Sequence, residues 1–408
     1  MMRSLFSGVS GLKGHQTRMD VIGNNIANVN TTGFKSSRTT FADTISQTIS
    51  GASTPGDNIG GTNPKQVGLG TGVSSIDLLF TNGSVQSTGK NTDLCLSGSG
   101  LFVVKQGSQT YYTRDGAFEF DAQGNYVLPG SGHFVQGWTA TNGVLPESKT
   151  EANMGKITID ASTSMNPTPT TEARYTGNID ASKEPGTAVT TIMTAYDTQG
   201  YVYKIPIVFT KTATNEWKLS SASTDPAVDL SSTDLTFNEN GQVASGADTD
   251  ITITITSGAK DPVKIKTSLG EITQYNAEST VHVSESDGYS MGKLESVSID
   301  SSGVITGVYT NGERRIEAQV AIAQFTNASG LTKAGSSFYQ ESNNSGKANV
   351  GTATALGCTI TPSALEMSNV DIANEFSDMI ITQRGFQSNS KIITVGDEML
   401  ETLINMKR

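Results

Sequence analysis

The stretch MDVIGNNIANVNTTGFK, residues 19–35, sets Asn24, Asn25, Asn28 and Asn30 within seven positions at the end of a segment with helical apolar spacing. A helix with an apolar stripe normally buries Leu or Ile there, so four amides ask for partners that both donate and accept hydrogen bonds. Upstream, Leu5, Val9, Leu12, Gln16, Met19, Gly23 and Ile26 step by four and three. That narrow stripe suits a partner helix. Downstream, Asn30-Thr31-Thr32-Gly33 is expected to stop the helix, with Gly33 free to take the left-handed conformation.

The other end of the chain repeats the pattern over a longer run. Ile372, Phe376, Met379, Gln383, Phe386, Ser390, Ile393, Asp397, Leu400 and Ile404 step by four and three without a break. Ser368, three residues before Asp371, is the expected N-cap, and Lys407 and Arg408 suit the negative end of the helix dipole. Such a helix would extend about 50 Å. Isolated helices gain stability mainly by packing an apolar face, so the two ends should pair. Two helices alone leave apolar surface open, and other copies of the chain are expected to cover it.

The interior is β. LFVV (101–104), YKIPIVF (203–209), ITITI (251–255) and EAQVAIAQF (317–325) are β-branched and aromatic runs bounded by turn residues. Four turns share the form Asp/Asn-x-x-Gly: DAQG at 121, DTQG at 197, NENG at 238 and DSSG at 300. The first side chain bonds its own backbone and the glycine supplies a positive φ. Residues 43–75, rich in Gly, Ser, Thr and Asn, look like a long, partly extended connector, and Pro146, Pro167, Pro169 and Pro185 mark a second joint.

The expected fold class is therefore mixed and mainly β, with long N- and C-terminal helices pairing as a coiled coil, an inner β domain and an inserted outer β domain. The expected division is 1–32 for the N-terminal helix, 33–75 for the connector, 76–150 for the first part of the inner β domain, and 151–285 for the outer one. Residues 286–363 would complete the inner domain, and 364–408 would form the C-terminal helix.

Composition narrows the chemistry. A net charge of −11 over 408 residues argues against nucleic acid and anionic membrane as partners, because phosphate binding needs a concentrated positive field. No window approaches eighteen apolar residues, so no membrane insertion is expected, and the N-terminus carries no apolar run before a small-residue cleavage site. Cys95 and Cys358 are expected to be small buried residues in strands. GYSMG (288–292) fits a nucleophile elbow, yet KLESVSID follows it as a strand and no histidine comes after Ser290; a hairpin turn is the better reading. His15, His133 and His282 form no metal spacing, and GLGTG at 68–72 lacks the dinucleotide pattern. No catalytic residue, metal or cofactor is expected, and the chain is not expected to be an enzyme.

MDVIGNNIANVNTTGFKSSRTTFAD (19–43) and ALEMSNVDIANEFSDMIITQRGFQSNSKIITVGDEMLETLINMKR (364–408) resemble the N- and C-terminal signatures of the flagellar axial family, the rod, hook and hook-associated proteins. FTNGSVQSTGKNTDLCLSGSGLFVV (80–104) and YTRDGAFEFDAQGNYVL (112–128) resemble its inner β domain, with Leu101 where an aromatic is usual and Cys95 where a smaller residue is usual. The size of the inserted β region points to the branch that builds the hook; a distal rod or hook-associated junction protein is the alternative, and a secreted β-rich adhesin a remote one. The resemblance implies a flexible tube that transmits torque from rod to filament as a universal joint. Its subunits would be exported through the flagellar type III apparatus to the cell exterior. Its partners would be other copies, the distal rod, the hook cap and the hook–filament junction proteins. Carried over by position, Asn24, Asn25, Ile26, Ala27, Asn28, Thr32, Gly33 and Phe34, with Ser368, Asn369, Val370, Gln383 and Arg384, would serve subunit packing alongside the stripe residues Leu5, Val9, Leu12, Met19, Ile372, Phe376, Met379, Phe386, Ile393, Leu400 and Ile404.

Overall fold

Met2–Ala27 form helix α1 and Ile372–Met406 form helix α2, with β structure between them. The computed structural model describes residues 2–55, 60–159, 164–221, 234–245 and 264–406. The strand expected at ITITI and the basic pair Lys407–Arg408 lie outside these residues. Helix α1 stops at Ala27, before the expected Asn30–Gly33 stop, and a run of turns leads to Gly33 at φ 63°. Helix α2 is capped by Asp371, not by Ser368. The Asp371 carboxylate accepts from the backbone N–H of Ala373 at 2.9 Å and Asn374 at 3.3 Å.

The chain divides into two compact units, one of residues 1–160, 297–306 and 316–408, the other of 161–296 and 307–315. The boundaries drawn from the sequence at 151 and 285 both fall about ten residues later in the chain, for local reasons. Gly155–Lys156 pairs with strand His133–Thr139 and Ile157 is buried, so this stretch belongs to the first unit. Bridges from Met165 to Gly292 and Thr168 to Tyr289 hold the stretch after 285 in the second.

In the first unit, strand Gly100–Gln106 pairs antiparallel with Gln109–Thr113, with His133–Thr139 and with Ile322–Gln324. Leu101, Val103, Tyr112, Trp138, Phe325 and Tyr339 fill one side of it. Leu101 is fully buried without an aromatic ring. Strand Leu94–Ser97 pairs with Thr359–Pro362, and Cys95 and Cys358 are both buried and free.

In the second unit, a five-stranded antiparallel sheet faces a three-stranded sheet across a core of Tyr175, Phe209, Trp217, Leu219, Leu235 and Ile272. The smaller sheet includes the parallel pair Glu172–Asp180 and Lys266–Tyr275.

All four Asp/Asn-x-x-Gly turns form as read. In each, the first side chain accepts two backbone N–H groups at 2.8–3.0 Å, and the glycine has φ between 74° and 85°. GYSMG runs into strand Leu294–Ile299.

The connector is the main departure. Ser37–Asp43 pairs antiparallel with Thr71–Leu78, Ser46–Ser50 pairs with Lys65–Gly68, and Ser53 bridges Thr62. The segment doubles back on itself as a two-tiered ribbon, with Phe41 opposite Val73 and Thr39 opposite Ile76 in the lower tier. Its base rests on α1, where Phe41 meets the His15 ring at 6.0 Å.

Candidate functional site

The terminal helices run antiparallel and meet along small and polar residues. Leu5 lies over Gly396, Gly8 faces Ile392 and Ile393, Gly11 faces Asn389, and His15 lies over Gly385. A Cβ on Gly385 would sit 2.6 Å from His15 Cε1, and one on Gly396 would sit 2.8 Å from Leu5 Cδ2. Glycine lets the backbones approach at these points. Arg18 pairs with Asp378 at 3.0 Å, and Asn25 donates to Glu375 at 2.9 Å.

The seam on α1 is therefore offset by about one residue from the stripe read in the sequence, a turn of roughly 100° about the helix axis. Leu5 and Ile393 reach it. Val9, Ile372, Phe376, Phe386 and Ile404 stay exposed, as do Ile380, Ile381, Ile392, Met399 and Leu403. Leu12, Met19, Ile26, Met379 and Leu400 are half-buried.

Where α1 ends, the chain is fastened to the first β unit. Asn25 is buried; its Nδ2 donates to Ser37 O at 2.9 Å while its Oδ1 accepts from Ser37 N at 3.0 Å. Asn369 acts as its counterpart before α2. Its Oδ1 accepts from Ser36 N at 2.8 Å and its Nδ2 donates to Leu79 O and Thr81 Oγ1, each at 2.8 Å. These two amides replace missing ladder bonds and tie both helix ends to the same strands.

Between them lies a buried ionic cluster. The Glu366 carboxylate accepts from Lys35 Nζ at 2.6 Å through one oxygen and from Arg114 Nη1 at 3.0 Å through the other. Gly83 N adds 2.8 Å, and all three charged side chains are shut away from solvent. Lys35 also donates to Thr81 O at 2.6 Å, and Arg114 to Leu96 O at 2.9 Å and to Gly98 O. Burial pulls the Lys35 ammonium below its ordinary pKa, against the opposing pull of Glu366. Gly33 N donates to Glu366 O at 2.8 Å, and a side chain on Gly33 would collide with the backbone of Arg114 and Asp115.

The residues carried over by position fall into different environments within the single chain. Asn25, Gly33, Phe34 and Ser368 are buried within the single chain, Phe34 with one ring face lining a groove. Asn24, Ala27, Gln383 and Arg384 are exposed, and Asn28, Thr32, Asn369 and Val370 are half-buried. Asn28 caps back onto Asn24 O at 2.8 Å and Thr32 donates to Asp115 at 3.0 Å. Sequence reasoning did not single out Lys35, Arg114 and Glu366, although each stands as a charge within the quoted motifs. It also passed over Gly11, Gly385 and Gly396, which interrupt helices where glycine needs a packing reason.

Four family models match the chain. They are "Flagella basal body rod protein" over 5–35, "Flagellar hook protein FlgE/F/G D1 domain" over 95–171, "Flagellar basal body protein FlaE D2 domain" over 158–289, and "Flagellar basal body rod FlgEFG protein C-terminal" over 361–406. Lys35, Arg114 and Glu366 fall in three separately matched segments. The flagellar hook protein FlgE of Treponema pallidum (strain Nichols) is 40% identical over 465 aligned residues, covering 100% of both chains. The flagellar basal-body rod protein FlgG of Bacillus subtilis (strain 168) is 32% identical, also covering 100% of both. The crystal structure of Helicobacter pylori flagellar hook protein FlgE2 superposes with a TM-score of 0.52 at 14% identity, covering 69% of this chain and 100% of that one, a likeness of fold alone.

Glu366→Gln leaves two buried cations without a counter-charge and is expected to lower the unfolding free energy by about 3–5 kcal/mol; denaturant unfolding at neutral pH measures it, and an unchanged midpoint refutes the cluster's role. Burial also raises the Glu375 carboxyl above its ordinary 4.5. An acid raised by folding adds stability below its unfolded pKa and loses it as pH rises through the folded value. As pH rises from about 4.5 the parent chain should therefore lose more stability than Glu375→Gln, whose amide oxygen still accepts from Asn25. Parallel melting curves for the two proteins would assign the pH dependence elsewhere.

Proposed function

The chain belongs to the flagellar hook protein FlgE family, and from that premise we propose that its copies build a bendable tube, held by the helix surfaces left bare in one chain. It is a structural, self-assembling component of the bacterial flagellar hook. The observation that carries the proposal is the division of labour on α2. Its contact with α1 uses Gly385, Asn389 and Gly396, while Phe376, Ile380, Met399 and Leu403 face solvent. Apolar area is stabilising only when removed from water, and a neighbouring copy with the same bare stripe supplies that cover.

In this reading the paired helices line the channel and the β units form the outer wall. The subunit leaves the cell through the flagellar export apparatus, adds beneath a hook cap, joins the distal rod at one end and the hook–filament junction proteins at the other, and passes torque between them. The rod protein relative favours a second reading, a distal rod component, and the two differ in what loss of the gene removes. Deletion is expected to give basal bodies with complete rods but neither hooks nor filaments by electron microscopy. Rods cut short would support the rod reading instead.

Bending requires some contacts to lengthen and shorten on each turn. The ribbon between Asp43 and Thr71 is the proposed adjustable part. It is two strands wide, carries a register shift at Thr48/Ser50, and exposes Ile45 (81%) and Ile49 (62%). Two strands alone are marginal in water, so this ribbon is expected to settle on neighbours and slip between pairings. Removing residues 46–68 while keeping the lower tier should change the bending stiffness of isolated tubes; tubes of parental stiffness with normal swimming would remove the ribbon from the mechanism.

A further inference from the structure

Strand His133–Thr139 has a projection at one end and a groove at the other. After it, Thr141 and Val144 exchange backbone bonds of 3.0 and 3.1 Å around Asn142 (φ 52°) and Gly143 (φ 81°). This two-residue turn is rigid, and it holds Val144 71% exposed. Glu147 follows, exposed and without an ion pair among the described residues.

The groove, of about 540 Å³, is lined by Phe34, Leu128, Pro129 and Phe338 with Lys333 beside them. Leu128 and Pro129 lie just before the strand begins. The Lys333 ammonium sits 4.9 Å from the Phe34 ring centre and donates to Ser37 Oγ at 3.1 Å, with no carboxylate partner among the described residues. Partial desolvation against Phe34 lowers its pKa, while the residue as a whole stays exposed and open to a partner. One wall is the Ser336–Ser337 turn, where both serines hold positive φ (48° and 60°) at a cost that glycine would avoid. The result is a slot with apolar walls in which, among the described residues, Lys333 is the one cation and Asp115, held by Thr32, the one carboxylate.

We propose that the Val144 projection of one copy seats in this groove of the next copy, with Glu147 meeting Lys333. The inference rests on the self-assembling reading and names a contact for it. A seven-residue strand separates projection from groove by about 20 Å, so they do not meet within one chain. A contact between unlike surfaces at the two ends of one strand is heterologous, and it builds an open helical array when its rotation does not close into a ring. The apolar tip matches the apolar walls, and the acid matches the lone cation.

The test uses full-length variants expressed in a strain lacking its own copy of the gene. Glu147→Lys and Lys333→Glu are each expected to lose hooks, and the double reversal to restore them. Independently, a Glu147→Cys, Lys333→Cys variant should give an intermolecular disulfide ladder in isolated hooks under mild oxidation, absent from either single cysteine variant; the buried native thiols do not compete. Restoration by the double reversal, or the ladder, supports the contact. Assembled hooks without a ladder overturn it, as do single reversals that assemble like the parent, or a double reversal that fails to restore. The parent gene restoring hooks in the same strain keeps these failures distinct from failure of the hook reading.

Discussion

One carboxylate, that of Glu366, holds together parts of the chain that are hundreds of residues apart. Lys35 follows the first helix, Arg114 lies in the first β unit and Glu366 precedes the second helix. Burying any one of these charges alone would be prohibitive, and only their convergence makes the site stable. The cluster therefore makes the two chain ends and the β unit interdependent. Asn25 and Asn369 work on either side of it, converting an ionic clamp into a joint of fixed geometry.

That joint explains how the helices are placed, and the seam explains what they leave over. Had the long apolar stripe been spent on the α1–α2 contact, the single chain would have been finished. Glycines and short polar groups close the seam instead, through backbone proximity and specific hydrogen bonds. Phe376, Ile380 and Met399 remain on the outside. The same logic holds at the ribbon, whose exposed isoleucines have no cover in one copy.

Much of the fold was legible in residue pattern. The Asp/Asn-x-x-Gly turns were readable because both halves of the mechanism, side-chain acceptor and positive-φ glycine, sit within four residues. The two helices and the buried strands at 101–104 and 203–209 were readable for the same reason: period is a local property. What failed was partner assignment. Periodicity marks an apolar stripe on α1 but does not say whether the own chain or another copy covers it, and the contact with α2 fell one residue away, on Gly8, Gly11 and His15. The asparagines pointed correctly to polar partners, yet Asn25 finds them inside the chain. The Lys35–Arg114–Glu366 convergence links positions 331 and 252 residues apart, beyond any local signal. The ribbon was hidden because Gly, Ser and Thr weaken strand propensity while cross-strand pairing supplies what propensity lacks.

The two tryptophans sit one in each compact unit, both fully enclosed: Trp138 beside Tyr339 in the first core and Trp217 among Phe209 and Leu235 in the second. Each indole is thus a private optical reporter. Replacing either one by phenylalanine leaves a chain whose intrinsic fluorescence follows the melting of a single unit, so the order in which the two come apart is readable without attaching any dye.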